Sequence, residues 1–198
     1  MAIDLTLCVV PAQVYAIFSK AVANPAYAEW VEFVPSILEN PSFHDHDLPE
    51  VQELKQDVEK LRSFFQFTAT DYFYDLNRCS STLDYLLDAY AQKYQLGVAP
   101  QPLWQGGDRI AKELTGGQGI PLQLYSRESL TSIYEFLDFV DPAELLTFYD
   151  YEAMQEAGVY KLTSPENTEV ITDAFNCLWL LFNSAYEDEN LLILKVKD

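Results

Sequence analysis

Few residues in this chain offer chemistry, and they fall in a handful of places. Both histidines sit in one stretch, His44-Asp45-His46-Asp47, and imidazole and carboxylate are ligand types that divalent cations take. Adjacent side chains diverge unless a fixed backbone aims them, so no metal site is assigned there. Asp84 and Asp88 lie one helical turn apart, with Asp71 and Asp75 just upstream. Paired carboxylates perform acid–base chemistry when burial separates their pKa values. Here they fall opposite a leucine stripe, which reads as a solvated helix face rather than a reaction centre. Gly116-Gly117-Gln118-Gly119 lacks the Gly-Lys-Ser/Thr of a phosphate loop and reads as a helix end and turn. The chain holds no Gly-x-Ser-x-Gly, no His-Glu-x-x-His and no cysteine and histidine at catalytic spacing. Any Ser–His or Cys–His mechanism would have to be built around the single histidine loop.

A binding role needs less. Trp104 is flanked by Pro102 and by Gly106-Gly107, so it stands on a loop rather than on an apolar stripe. A tryptophan in that setting suits an interface anchor or a pocket wall. Together with Asp71, Tyr72 and Asp75 it makes a candidate acid- and tyrosine-lined ligand site. No catalytic residue, metal or cofactor is assigned.

Charge bounds the partners. Twelve lysines and arginines stand against 31 aspartates and glutamates, a net charge of −19. A field of that sign disfavours nucleic-acid phosphate and anionic lipid, and it attracts a basic protein partner. Cys8, Cys79 and Cys177 are far apart and form no Cys-x-x-Cys, which reads as reduced, buried thiols in a cytoplasmic protein. Met1-Ala2-Ile3-Asp4 lacks the basic start of a secretory signal. The longest apolar run, Cys177 to Phe182, is far short of the ~20 residues of a membrane span. At 198 residues the chain is expected to form one domain, residues 1–198, burying roughly 70% of its unfolded surface without a metal or disulfide.

The elements that must position these residues are mostly helical. Ile3 to Val10 alternates as a strand, with Leu5, Leu7 and Val9 on one face. Pro11 is expected to open a helix striped by Val14, Ile17, Phe18, Ala21 and Val22. Asn24-Pro25 starts another, expected to stop at Pro35. Asp47 with Glu50 reads as the capping box of a helix buried along Val51, Leu54, Val58, Leu61 and Phe65. Residues 64–76 are aromatic-rich and fit either a continued helix or a strand. Leu83, Leu86, Leu87, Tyr90 and Tyr94 stripe the next helix, which ends at Gly97. A short helix is expected from Asp108 to Leu114. Ser126 caps a helix with Leu130, Ile133, Tyr134 and Leu137 inward, and Asp141-Pro142-Ala143-Glu144 starts another. Tyr151 to Ala157 adds a turn or two, closed by Gly158. Ser164-Pro165 opens the last helix, which is apolar nearly all round through Val170, Phe175, Trp179, Leu180 and Phe182. Such a helix is expected to be enclosed on every side. Leu191 to Val196 is then a buried strand. The fold class is α+β, predominantly helical, a single domain with a small sheet that includes the N-terminal and C-terminal strands.

Three runs carry a family likeness: Leu114-Thr115-Gly116-Gly117, then Leu124-Tyr125-Ser126-Arg127-Glu128-Ser129-Leu130, then Tyr149-Asp150 through Met154 to Gly158-Val159-Tyr160. Their order and spacing resemble the YfbM-like family of bacterial proteins of unknown function. Asp75-Leu76-Asn77-Arg78 followed by Leu83-Asp84-Tyr85-Leu86-Leu87 is similar to that family's Asp-Leu-Asp-Lys helix start. Ser80 stands about where the family has tryptophan, and Asp84 where it often has histidine. The resemblance spans most of the chain and is weakest over residues 36–69. It implies an α+β fold, a cytoplasmic bacterial protein and no assigned activity.

The residues favour a non-catalytic, protein-binding role in which an acidic surface engages a basic partner, as immunity or inhibitor proteins do. The alternative is a small ligand-binding protein or enzyme at the Asp71, Tyr72, Asp75 and Trp104 site. A homo-oligomeric assembly role is a third class, and whether the protein is an enzyme stays open.

Overall fold

A computed structural model gives the architecture. It describes residues 5–39, 48–62, 73–75, 79–96, 108–109, 114, 122–160 and 162–197. The sheet has five strands, β1 (Leu5–Pro11), β2 (Phe73–Asp75), β3 (Asp108–Arg109), β4 (Gln123–Leu124) and β5 (Leu191–Lys197), in the order β2-β1-β5-β4-β3. Every pairing is antiparallel. At its centre the first and last strands pair along their whole length, from Leu5 opposite Lys197 to Pro11 opposite Leu191.

Both faces of that central pair are buried. Leu7, Val9, Leu191 and Ile193 enter one apolar core, while Cys8, Val10, Leu192 and Leu194 enter another. This is why β5 opens as a continuous apolar run, Leu191 to Leu194. The first core is closed by α5 (Ser80–Lys93), α6 (Arg127–Phe139), α7 (Pro142–Leu145), α8 (Tyr151–Glu156) and α9 (Glu169–Glu187). The second is closed by α1 (Val14–Ala23), α2 (Pro25–Ala28), α3 (Val34–Glu39) and α4 (Pro49–Leu61). The α+β class and the terminal strands in the sheet are as the sequence leads one to expect; the two-sided burial is additional.

Side-chain caps account for the starts of α2, α6, α7 and α8. Asn24 Oδ1 accepts from the Ala26 N–H, Ser126 Oγ from Ser129, Asp141 Oδ1 from Ala143 and Glu144, and Asp150 Oδ1 from Ala153. Each satisfies amide donors that a helix start leaves open.

Several expectations are corrected. Pro11 ends β1 rather than opening a helix, and Val22 is exposed at the end of α1. Pro35 lies inside α3, in its first turn, where a missing N–H leaves no intrahelical bond unmade. The N-cap of α4 is Leu48, with no side-chain cap, and Asp47 lies outside the described residues. Asp108–Arg109 is a strand. Of the aromatic-rich segment, Phe73–Asp75 is a strand and the rest lies outside the described residues. Ser164 precedes a short 3-10 turn, Pro165–Asn167, and α9 begins only at Glu169.

The largest correction concerns α9. Ile171, Ala174, Phe175, Leu178, Leu181, Phe182 and Ala185 are buried, yet Leu180 is 54% exposed and Val170 and Tyr186 also face outward. The helix is packed on one face only. Its apolar outer residues are not explained by the chain's own core.

Candidate functional site

Lys195 is the one charged residue among the fully buried described residues, at 0% exposure on the central strand. Its register partners are Leu7 on β1 and Gln123 on β4, so it shares the face of the first core. Its ammonium lies 5.3 Å from the centroid of the Tyr125 ring. Tyr125 follows β4 directly, held there by its N–H donating to the Ile193 carbonyl at 3.0 Å. Its ring meets Phe182 edge-on at 5.4 Å. Its hydroxyl is buried and finds no hydrogen-bond partner among the described residues. Burial raises the Tyr125 pKa, and the negative charge of half-buried Asp84 on α5 raises it further. The phenol is therefore a neutral donor at physiological pH. An unsatisfied buried hydroxyl costs about 1–3 kcal/mol, so this group is held against stability.

A second feature lies on the surface, where α6 and α9 run side by side. The Tyr134 and Tyr186 rings stack at 4.2 Å, and Trp179 lies 6.5 Å from Tyr134. The Trp179 indole N–H donates to Asp138 Oδ1 at 3.3 Å, which fixes the ring against α6. Partial burial raises the Tyr134 pKa, with Asp138, Tyr186 and Glu187 adding to it. Arg127 closes the far end of this seam by donating to the carbonyls of Ala185, Tyr186 and Asp188. The result is an aromatic ridge bordered by carboxylates.

Two further clusters are structural in character. Asp57 on α4 accepts from Lys20 at 2.8 Å, Lys60 at 2.7 Å and Tyr27 at 3.0 Å, which ties α1 and α2 to α4. Burial alone would raise the Asp57 pKa; these three donors outweigh it and hold the carboxyl down at about 2. Glu144 on α7 accepts from Lys93 at 2.6 Å and from the Tyr94 hydroxyl, joining α7 to the end of α5. Thr163 ties the start of α5 to the segment before α8: its carbonyl accepts from Tyr149, its N–H donates to Thr82, and its hydroxyl meets Cys79.

The sequence candidates fare unevenly. Asp71, Tyr72, Trp104 and the His44–Asp47 stretch lie outside the described residues, as does the glycine turn at 116–119. Asp75 ends β2 opposite Thr6, one register row away from Lys195. Asp84 and Asp88 part company: Asp88 is exposed and accepts from Gln92 at 2.6 Å, while Asp84 reaches toward Tyr125. Among the described residues no group of three or more His, Cys, Asp or Glu is placed to hold a metal ion. Nor is any helix there long and apolar enough to cross a membrane. Lys195 carries a sequence signal, a lysine inside an apolar strand run, that pattern reading absorbs into the strand. The seam carries none, because Tyr134 and Trp179 read as core residues until the helices are placed.

The profile of a domain of unknown function, DUF1877, matches residues 40–194. The chain belongs to this family. The YfbM-like resemblance is consistent with it. No curated protein and no solved structure matches the chain. Within the DUF1877 match lie β4, α6, α9 and the first four of the seven residues of β5, and so Tyr125 and the whole aromatic seam, while Lys195 falls just past its end. The strand β1, which pairs with β5, lies before it. The family description supplies no activity.

Proposed function

We propose that the protein is a non-catalytic binding protein that engages a basic protein partner through its negative surface. One observation carries this reading: 31 aspartates and glutamates stand against 12 lysines and arginines. Lys20, Lys60, Arg62 and Lys93 are each engaged by a carboxylate of the same chain, and Arg127 by helix carbonyls. A net charge of −19 sets up a negative field around the protein. Such a field speeds encounter with a partner of opposite sign and weakens with salt. The test is affinity capture from native cells at low and high salt, followed by reconstitution with the purified captured protein. The expected outcome is a partner of net positive charge whose affinity falls as salt rises. Retention of no basic protein at low salt overturns the reading.

A second reading is favoured by the Tyr125 hydroxyl, which has no partner among the described residues: a small ligand with a hydrogen-bond acceptor bound near Tyr125. A thermal-shift screen with metabolites and divalent metals tests it. A ligand at 100 times its dissociation constant adds about 2.7 kcal/mol, so a flat screen counts against it.

A further inference from the structure

We infer that the α6–α9 seam is where the basic partner docks, and that Trp179, Tyr134 and Tyr186 form the seat for one of its lysine or arginine side chains. This rests on the basic-partner reading above and adds a location and a mode of recognition to it.

Three independent observations converge on the seam. First, the apolar residues that α9 turns outward are unexplained by the chain's own packing: Leu180 is 54% exposed beside Trp179, and Tyr186 is 37% exposed. Second, the aromatic rings are ordered relative to one another, with Tyr134 stacked on Tyr186 and Trp179 fixed by its bond to Asp138. A cation over such faces is attracted by the ring quadrupole, and tryptophan and tyrosine are the best seats for it. Third, the charge around the rings has one sign. Helix α6 carries Glu128, Glu135 and Asp138, and α9 carries Glu169, Asp173 and Glu187, against Arg127 alone. Arg127 is turned to the carbonyls at the end of α9 and leaves that field uncancelled.

The occupant follows from the chemistry. A second copy of this chain would bring the same acidic helices to the same acidic helices, which like-charge repulsion opposes. Anionic lipid and nucleic acid are opposed for the same reason. A protein segment that presents lysine or arginine next to apolar side chains matches both halves of the seam. Its cation lies over the rings with Asp138 and Glu187 nearby, and its apolar side chains cover Leu180. Aromatic residues at the centre of a patch, rimmed by charge, are where binding energy concentrates.

The experiment uses the full chain and a synthetic peptide in which lysine and arginine alternate with leucine, with a glutamate-for-lysine counterpart as control. Affinity is measured for the wild type, for the seam variants Trp179→Leu and Tyr186→Ser, and for Glu29→Gln with Glu50→Gln on the opposite layer. Tyr186→Ser alters an exposed side chain and keeps the test valid if Trp179→Leu does not fold. The expected result is a loss of about tenfold in the seam variants and less than about twofold in the opposite-layer variant. Carbodiimide cross-links from the peptide lysines are expected on Glu135, Asp138 or Glu187. Equal losses in both sets of variants, or cross-links spread over all helices, overturn the seam while leaving the basic-partner reading intact. No binding by the wild type at low salt overturns both.

Discussion

The Tyr27 hydroxyl donates to the Asp57 carboxylate at 3.0 Å, from a ring that is itself fully buried under α4. The same carboxylate receives Lys20 and Lys60, and Lys20 also lies 5.0 Å over the Tyr27 ring. One aspartate thus holds three helices on one face of the sheet. Its folded pKa of about 2 lies below the unfolded value. A depressed carboxyl contributes stability that is present above the unfolded pKa and lost as pH falls through the folded one. The two lysines are partly exposed, so solvent screening holds the contribution to about 1–2 kcal/mol. Urea unfolding of wild type and Asp57→Asn from pH 6 to pH 2 is expected to show the largest gap above about pH 4, closing toward pH 2. A gap that is constant with pH would contradict this.

Helix α5 ends on a non-glycine residue in the left-handed region, Gln95 at φ +52°. The Gln95 N–H donates to Gln92 and the Leu96 N–H to Ala91, the paired bonds of a Schellman end. Helix α8 ends in the same way, with Gly158 at φ +72°. Gly97, where the sequence places the end of α5, lies outside the described residues. Replacing Gln95 by glycine relieves the backbone strain and is expected to stabilise the protein by about 0.5–1 kcal/mol. Gly158→Ala is expected to cost about 1 kcal/mol although space for a Cβ is open there. Opposite shifts in melting temperature, each about 2–4 °C per kcal/mol, are the readout.

The Tyr125 hydroxyl is buried without a partner among the described residues. Tyr125→Phe keeps the ring against Phe182 and removes that hydroxyl, so it is expected to raise stability by about 1 kcal/mol. Lys195→Ala empties a fully buried site and disrupts the surroundings of its ammonium, with an expected loss of 3 kcal/mol or more, on the order of other buried-charge deletions. Denaturation midpoints separate the two. A destabilised Tyr125→Phe would mean that the hydroxyl is satisfied in solution by an ordered water.

Arg127 stands in the first turn of α6 and donates to the carbonyls of Ala185, Tyr186 and Asp188. It satisfies acceptors that the end of α9 leaves open and places a cation at the negative end of that helix. Arg127→Ala is expected to cost about 2 kcal/mol. Arg127→Lys should recover less than half of it, because an ammonium lacks the planar fork that reaches several carbonyls together. Faster amide exchange at Leu191 and in the last turn of α9 is the local signature.

Much of the fold is legible in the sequence because local rules dominate there. Asn24-Pro25, Ser126 and Asp141-Pro142 start helices by satisfying their own amides, within a few residues of chain. Stripes such as Leu83, Leu86, Leu87 and Tyr90 find the core because helical periodicity and burial agree. Little of the candidate site was legible in the same way. Asp84 and Asp88 share a helix, yet only the packing of α5 over the sheet turns one inward and leaves the other in water.

The sequence by itself determined the class of fold, the helix starts at Asn24, Ser126 and Asp141, the pairing-prone terminal strands and the sign of the net charge. These follow from residue type and short-range spacing. Only the tertiary structure decided that β1 and β5 are buried on both faces, that Lys195 lies sealed beside Tyr125, and that α9 turns Trp179, Leu180 and Tyr186 outward beside α6. The physical reason is that an apolar residue has the same hydrophobicity wherever it stands. Which face of a helix is covered depends on what other elements, distant in sequence, are brought against it.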